Sequence, residues 1–381
     1  MRSFETIRQY YQQRDLAARQ WKQKGGKVVG YLCSGVPEEM IVAAGMFPIR
    51  ISGDPFGGTE TADKYTEPFY EGFVRSTLNM LLSGRYDFLD YLIIPHARDS
   101  IHELYPILQT IQRLDPTVRL PELYLLDTLH TRFWLSGRYL YDRLCDLRVK
   151  LEQWSGETIL DDSLTKAMAV SKDNNTLLRK MMAIRAADPP RISGVEALQI
   201  IGASMFILKD EHNKLLTRFL EKADDRKAGN GVRLFMAASP TDNLQFYEIV
   251  ESCGATIVAE NHCWGNGYID DDFTDSLLDP LEALAEHYHL KSHCPRMFPL
   301  DQRVQYCVSS VVASKAQGVI FYNCEWDYLQ SWEYPDELAA LKEKGIPVLT
   351  FKNQKYQISD AERMKLKAAI DNFVKSIHSN G

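Results

Sequence analysis

Short apolar runs alternate with longer, helix-like segments through much of this chain, and this alternation limits the fold more than any other feature. Neighbouring parallel strands need a crossover of about a dozen residues or more, which is usually a helix. The first part of the chain therefore predicts an α/β domain, with Ser100 as the N-cap of one helix. Strands and helices are predicted in turn at 27–33, 37–45, 47–51, 68–84, 90–95, 100–114 and 122–127.

The same alternation returns near the C-terminus, after a long stretch that lacks a convincing strand and is rich in charged helix formers. Strands are predicted at 232–239, 255–260, 318–323 and 345–351, and helices near 243–254, 277–288, 300–316 and 359–378. We therefore predict two Rossmann- or flavodoxin-like parallel-sheet domains, residues 1–130 and 229–381, joined by a helical connector, residues 131–228. The cleft between them is the expected site.

Composition describes an acidic globular protein. The 381 residues carry a formal net charge of −7, and the basic residues are scattered rather than clustered. Nucleic acids and anionic membranes bind to basic faces, so we expect neither as a partner. The first residues are too polar for a signal peptide, and no window approaches the ~18 apolar residues of a membrane helix. We expect a cytoplasmic protein.

Seven cysteines are spread over the chain, and none belongs to a CxxC pair. This pattern argues against structural disulfides, a zinc ribbon and a bacterial-type ferredoxin cluster. A cluster assembled from cysteines far apart in sequence stays open. The chain also lacks GxGxxG, GxxxxGK[ST] and GxSxG, so it carries neither a nucleotide-binding fingerprint nor the commonest serine-hydrolase motif.

Two predicted strands end in residues that suit a functional site. The segment YLIIPHARDS, residues 91–100, passes from an apolar run into His96, Arg98 and Asp99. Cys33-Ser34-Gly35 follows the first strand and precedes a helix, where backbone N–H groups and a hydroxyl can hold a carbonyl or an anion. A tight strand–helix turn explains this second segment equally well.

The run CSGVPEEMIVAAGMFPIRISG, residues 33–53, resembles the subunits of the 2-hydroxyacyl-CoA dehydratase and benzoyl-CoA reductase family, in which a PEE turn and an AAGMLP-like segment recur. The resemblance covers nearly the whole chain in order, and RDLAARQWKQKGGKVVGY is most similar to the smaller benzoyl-CoA reductase-type subunit. It continues through FVRSTLNMLLSGRYDFLDYLIIP, ALQIIGASMFILKDEH, SCGATIVAEN and GVIFYNCEWDYLQSWEYPDELAALKEKGIPVL.

This resemblance implies an oxygen-sensitive protein that binds an acyl-CoA and pairs with a related subunit, or with a second copy of itself. Members of the family hold a [4Fe-4S] cluster between two α/β domains through three cysteines from distant segments. They receive single electrons from an ATP-hydrolysing activator. The electrons form a ketyl radical anion, from which water is expelled or an aromatic ring is reduced.

The resemblance also locates the three cluster-ligand positions, and none of them is cysteine in this chain. The first lies four residues before RST and is Glu71. The second precedes the aspartate that follows the IIP strand and is Arg98. The third lies eighteen residues before the glycine of GIP and is Asp327. Carboxylate and guanidinium groups are poor ligands for iron–sulfur clusters, so we expect that the standard cluster has been lost.

Two hypotheses follow for these positions. If the three side chains converge, they form a buried salt-bridge triad that occupies the place of the cluster without leaving a charge unpaired. A rearranged cluster would instead use Cys33 and Cys324. Its third ligand would be Glu71, Asp327, His96 or water.

Three functional hypotheses stay open. In the first, the chain is a subunit that has lost the cluster and supports a related subunit that keeps one. In the second, it is an acyl-CoA enzyme in its own right, with Cys33-Ser34-Gly35 as the thioester site. In the third, it is a non-enzymatic acyl-CoA-binding or scaffold protein. The residues available for catalysis in the second are Ser34, Glu71, His96, Arg98 and Asp327.

Overall fold

The computed structural model contains two sheets, and every strand pairing within them is parallel. The structure describes residues 2–223, 225–269, 279–290 and 298–380. The predicted α/β fold with two Rossmann- or flavodoxin-like sheets is confirmed. The strands are β1 (Val28–Tyr31), β2 (Phe47–Arg50), β3 (Tyr91–Pro95), β4 (Glu122–Leu126), β5 (Val232–Ala238), β6 (Ala255–Glu260), β7 (Gly318–Cys324) and β8 (Val348–Gln354).

Helices surround both sheets and form the segment between them, while the exact domain boundaries stay a prediction. None of the helices in the described ranges combines the length and apolar character that crossing a membrane requires. They are α1 (Arg2–Gln12), α2 (Leu16–Gln23), α3 (Glu38–Ala43), α4 (Gly72–Leu82), α5 (Asp99–Leu114), α6 (Trp134–Ser155), α7 (Asp161–Arg185), α8 (Gly194–Ala203), α9 (Lys209–Leu220), α10 (Leu244–Ser252), α11 (Pro280–Leu290), α12 (Leu300–Ala313), α13 (Tyr328–Glu343) and α14 (Asp360–Asn380).

The strand order creates a crevice at the carboxyl edge of each sheet. The order is β2-β1-β3-β4 in the first sheet and β6-β5-β7-β8 in the second. In the first sheet the chain runs from the central strand β1 to the edge strand β2, and then crosses to β3 on the other side of β1. The second sheet repeats this path with β5, β6 and β7. The loops that leave the two central strands therefore diverge, and ligands bind at such switch points in folds of this kind.

Burial on both faces explains why these strands read as continuous apolar runs. All residues of β1 and of β5 are buried. The largest hydrophobic cluster contains Leu92 of the first sheet, Met236 of the second and Ile200 of α8. The two sheets thus share one core through the helical segment, which fixes their carboxyl edges relative to each other.

Three predicted element starts are wrong. Helix α4 begins at Gly72 rather than at residue 68, because its N-cap Glu71 is not helical (φ −57°, ψ 140°). Helix α5 begins at Asp99 with Arg98 as its N-cap, so Ser100 lies in the first turn and does not cap the helix. Strand β8 begins at Val348 rather than at residue 345. Gly345 has a φ of 69°, a conformation that ends the preceding helix, and Pro347 has no N–H for the ladder.

A buried ion pair connects the helical segment to the second sheet. Arg185, at the end of α7, donates from Nη1 to Oε1 of Glu260 at 2.8 Å and from Nη2 to Oε2 at 2.5 Å. Its Nε also donates to the carbonyl oxygen of Ile257 at 2.9 Å. Burial alone would raise the pKa of the Glu260 carboxyl, but attraction to Arg185 outweighs it and lowers that pKa.

Arg185→Ala should lower the free energy of unfolding by about 3–5 kcal/mol, because it leaves the Glu260 carboxylate buried without its cation. Urea unfolding followed by circular dichroism measures the change. Arg138→Ala is the matched control, since Arg138 and Asp142 are exposed and such pairs contribute at most about 0.5 kcal/mol. Equal effects of the two substitutions would contradict the structural role of the buried pair.

Candidate functional site

Three helices begin at the crevice between the two sheets, and the N-cap of each is an ionisable residue. Glu71 precedes α4, Arg98 precedes α5 and Asp327 precedes α13. All three residues are buried. The unpaired N–H groups at a helix start carry partial positive charge, which favours anions. The fold therefore attracts negative charge to the place where these helices meet.

Arg98 lies between the two carboxylates and joins the two sheets. Its Nη1 is 3.1 Å from Oε1 of Glu71 and 3.1 Å from Oδ1 of Asp327. Its Nη2 donates to Oδ2 of Asp327 at 3.2 Å, so the contact between Arg98 and Asp327 is bidentate. The three residues thus converge, as the salt-bridge hypothesis requires, although 229 positions separate Arg98 from Asp327.

Burial makes the members of this triad depend on one another. The side chains of Arg98 and Asp327 are 5% and 1% exposed, and that of Glu71 is 10% exposed. Desolvation offsets much of the attraction in a buried ion pair, so the intact triad stabilises the fold only modestly. Removal of Arg98 alone would leave two carboxylates facing each other in a region with little water.

The buried face of α13 extends this polar region away from the triad. It consists of Gln330, Glu333, Glu337 and one leucine. Because three of these four buried residues are polar, the sequence lacks the apolar periodicity that would have predicted a helix here. Arg303 of α12 donates from Nη2 to Oε2 of Glu333 at 2.7 Å. Gln330 donates to Oε2 of Glu337 at 3.3 Å. Within the described ranges Oε1 of Glu337 has no partner, and burial raises the pKa of this carboxyl to about 7.

The two cysteines considered for a rearranged cluster line different cavities. Cys324 ends β7 and lines a cleft together with Glu71 and Asp327, whereas Cys33 lines a second cavity. Burial, together with the nearby Asp327 carboxylate, raises the pKa of the Cys324 thiol to about 12. In the part of the chain that the structure describes, no three His, Cys, Asp or Glu side chains are arranged to hold a metal ion.

His96 binds a different carboxylate from those of the triad. Its Nδ1 lies 2.8 Å from Oδ1 of Asp127, and Tyr139 donates to Oδ2 of the same carboxylate at 2.7 Å. Burial opposes ionisation of Asp127, but these two hydrogen bonds outweigh it and lower its pKa. The structure therefore does not bring His96 into hydrogen-bond contact with Glu71, Arg98 or Asp327.

The segment Cys33-Ser34-Gly35 lies at the end of β1, but it is not the start of a helix. Helix α3 begins at Glu38, and its N-cap is Pro37. Cys33 has a φ of 58°, a left-handed conformation that is uncommon outside glycine and occurs often at functional sites. The segment lines a cavity, but the expected helix N-terminal amides lie beyond it.

Two cavities meet at Arg98. The outer cleft, of about 560 Å³, is lined by Glu71, Asp327 and Cys324 among others. The inner cavity, of about 120 Å³, is lined by Cys33-Ser34-Gly35 and by Asn261, which no sequence motif indicates. Arg98 and Pro240 line both. The only sequence signal for Asn261 is its position directly after the apolar run of β6.

The two parallel sheets define a doubly wound α/β protein, and the buried ionic triad at their carboxyl edges is its candidate site. The sequence pattern of the 2-hydroxyglutaryl-CoA dehydratase D-component family matches residues 33–377. The chain belongs to this family, which confirms the resemblance seen in the sequence.

Named relatives agree with this assignment at low sequence identity. A benzoyl-CoA reductase subunit of Thauera aromatica is 25% identical over 377 residues, which cover 95% of this chain and 94% of that one. The beta subunit of (R)-phenyllactyl-CoA dehydratase of Clostridium sporogenes is 25% identical over 332 residues, 86% of each chain. The beta subunit of (R)-2-hydroxyglutaryl-CoA dehydratase of Acidaminococcus fermentans is 23% identical over 333 residues, 86% of this chain and 87% of that one.

Arg98→Ala should lower the free energy of unfolding by about 3–5 kcal/mol, because two buried carboxylates lose their cation. The triple variant Glu71→Gln, Arg98→Met, Asp327→Asn removes all three charges together and should recover most of this loss. Urea unfolding compares them with Arg75→Ala, which breaks a more exposed pair with Asp63. A near-neutral Arg98→Ala would contradict the triad.

Glu337 predicts a defined pH dependence of stability. Its raised pKa means that the folded state holds this proton more tightly than the unfolded chain does. The contribution of Glu337 to the free energy of unfolding should therefore fall as the pH rises from about 4.5 to about 7, and then level off. A pKa change from 4.5 to about 7 corresponds to roughly 3 kcal/mol.

Glu337→Gln stays neutral at every pH, so its stability relative to the wild type should increase across that window. Urea unfolding at several pH values measures the difference. Glu343→Gln, an exposed substitution at the end of the same helix, is the control. A difference that is independent of pH would show that Glu337 does not hold a proton in the folded state.

Proposed function

We propose that this chain is a subunit of a 2-hydroxyacyl-CoA dehydratase or benzoyl-CoA reductase-like enzyme. In this proposal it lacks the standard [4Fe-4S] cluster and supports a related subunit that holds one. The observation that carries the proposal is the Arg98 guanidinium held between Glu71 and Asp327. By the family resemblance, these are the positions at which relatives present cluster cysteines. Acyl-CoA dehydration and aromatic-ring reduction are both compatible with it.

The side chains at these positions do not fit an iron–sulfur cluster. Such clusters are held by thiolates, with His as the usual exception. A guanidinium stays protonated and offers no lone pair to a metal. Its charge here is neutralised by two carboxylates, so displacing it would separate a buried ion pair. We therefore assign no reaction step in this chain to a cluster.

The three helix N-termini explain why such a replacement is compatible with the fold. They favour a net negative charge where they meet. Cysteine thiolates would provide negative charge there, and the triad does so as well, since two carboxylates and one guanidinium sum to −1. The same backbone can thus hold either arrangement without a change in the sign of the charge.

The proposed partner is a related, cluster-bearing subunit. The three relatives described above are each named as a subunit. A heterodimer would place the electron chemistry on the partner, which an ATP-hydrolysing activator would serve. A homodimer is the less suitable alternative, because two copies of this chain would provide no site for single electrons.

One observation favours a second candidate, a stand-alone acyl-CoA enzyme or acyl-CoA-binding protein without redox chemistry. Cys33-Ser34-Gly35 lines a cavity within this chain, so a thioester could bind without a partner. Acid–base groups are less suitably placed, because Glu71 and Asp327 are paired with Arg98, and His96 is paired with Asp127. Turnover of an acyl-CoA by the chain alone, in air, would favour this candidate over the first.

Iron and acid-labile sulfide analysis tests the first proposal. Purified under anaerobic conditions, the chain should contain well below one iron and one sulfide. The reason is that Arg98 and its carboxylates replace the three thiolates. About four irons and four sulfides per chain would contradict the proposal.

A matched set of variants tests whether the positions themselves are responsible. Glu71→Cys, Arg98→Cys and Asp327→Cys together restore three thiols, and this variant should gain iron, sulfide and the broad visible absorbance of a cluster. Arg138→Cys, Glu343→Cys and Asp360→Cys add the same number of thiols at exposed positions outside the cleft and should gain none. Equal iron content in the two triple variants would contradict the assignment of residues 71, 98 and 327 as cluster-ligand positions.

A further inference from the structure

A buried arginine beside the inner cavity has no carboxylate to compensate its charge. Arg50 ends β2 and is only 4% exposed. Its Nη1 donates to the carbonyl oxygen of Cys263 at 2.8 Å, and its Cζ lies 4.0 Å from the centre of the Trp264 ring. Among the residues that the structure describes, none of its hydrogen bonds goes to a carboxylate. A guanidinium does not lose its proton in proteins, and a buried charge without a partner is strongly destabilising.

The thiol of Cys263 is the neighbouring group that can supply the missing anion. Nη2 of Arg50 lies 3.0 Å from Sγ of Cys263, within hydrogen-bond distance. The phenol of Tyr31 cannot supply it at pH 7, because burial raises its pKa well above the usual value of 10. Burial alone would lower the pKa of Arg50, but attraction to the Cys263 and Cys33 thiols outweighs it and raises that pKa. The guanidinium and the sulfur thus stabilise each other when the sulfur carries negative charge.

Cys263 is accessible from the inner cavity. It lines this cavity and is partly buried, and so is Cys33. Gly35 and Leu129 line the same cavity and are exposed, so the cavity opens to solvent. An engineered protein cavity of about 150 Å³ holds one benzene molecule. The inner cavity, of about 120 Å³, therefore admits small reagents and excludes bulky ones.

Three other cysteines of the described ranges lie in surroundings that keep them protonated. Burial raises the pKa of Cys253 to about 11 and that of Cys324 to about 12. Burial also raises the pKa of Cys307 well above its usual value of 9. Only the thiolate is a good nucleophile, so these thiols react slowly at pH 7. The contact with Arg50 separates Cys263 from them.

We propose that Cys263 is a reactive thiol, activated by Arg50, and that small disulfides modify it from the inner cavity. In this exchange the Cys263 thiolate attacks one sulfur of a disulfide RSSR. The S–S bond of RSSR breaks, a new S–S bond joins Cys263 to one RS group, and the other leaves as RS⁻. The leaving RS⁻ takes up the proton that the Cys263 thiol gave to water. One disulfide is consumed for each one formed, so RSSR is the only oxidant required.

Alkylation of the full chain by iodoacetamide tests the reactivity. The reduced protein is treated at pH 7 without oxygen, and peptide mass spectrometry follows the modification of each cysteine with time. Cys263 should react at least about tenfold faster than Cys253, which is also partly buried but has no arginine at its sulfur. An equal or slower rate at Cys263 would overturn the inference.

Variants of Arg50 test the source of the reactivity. Arg50→Met removes the charge and should slow alkylation of Cys263 about tenfold, whereas Arg50→Lys keeps the charge and should retain most of the rate. Arg138→Met, which removes an exposed cation, is the control and should have no effect. An unchanged rate in folded Arg50→Met would contradict activation by Arg50. The comparison within the wild-type chain does not require these variants to fold.

Hydroxyethyl disulfide tests the modification itself. The Cys33→Ser variant is used, because it lacks the second thiol of the cavity that could displace the product. It should gain one hydroxyethylthio group, at Cys263, and dithiothreitol should remove this group. The double variant Cys33→Ser, Cys263→Ser should gain none over the same time. No adduct at Cys263, or an adduct that forms first on another described cysteine, would overturn the proposed site.

Discussion

The bidentate contact between Arg98 and Asp327, with Glu71 on the other side of the guanidinium, is the interaction on which the site depends. It connects the carboxyl edges of two sheets whose residues are far apart in sequence. Three helix N-termini meet there and favour negative charge. The triad provides it, because two carboxylates and one guanidinium carry a net charge of −1. The guanidinium makes it possible to bury two carboxylates at that place. It also occupies the space between them, so another group can enter that space only if the ion pairs are broken.

The polar region does not stop at the triad. Helix α13 begins at the triad with Asp327 as its N-cap and turns a charged face toward the interior. Arg303 compensates Glu333, while Glu337 has its pKa raised to about 7 by burial. A helix with such a face gains little from apolar burial, so its place in the fold depends on these hydrogen bonds and ion pairs.

Much of the fold could be predicted from the sequence, because buried parallel strands are apolar on both faces. The meeting of Glu71, Arg98 and Asp327 could also be predicted, since the family resemblance maps three distant segments onto one site. Helix α13 could not, because its buried face is charged. Asn261 could not either, because what distinguishes it is the hydrogen bond that fixes its oxygen and leaves its Nδ2 unused. Nor could the assignment of Cys33 and Cys324 to different cavities, because the sequence pattern places each of them only near the end of a strand.

The chain belongs to the 2-hydroxyglutaryl-CoA dehydratase D-component family, and we propose that the salt bridge of Glu71, Arg98 and Asp327 stands where relatives hold a cluster. Anomalous diffraction at the iron absorption edge, from crystals grown without oxygen, tests it most directly. We expect continuous side-chain density from Glu71 through Arg98 to Asp327 and no iron peak between the sheets. An iron peak in the crevice, bonded to Cys324 or Cys33 with Arg98 turned away, would contradict it.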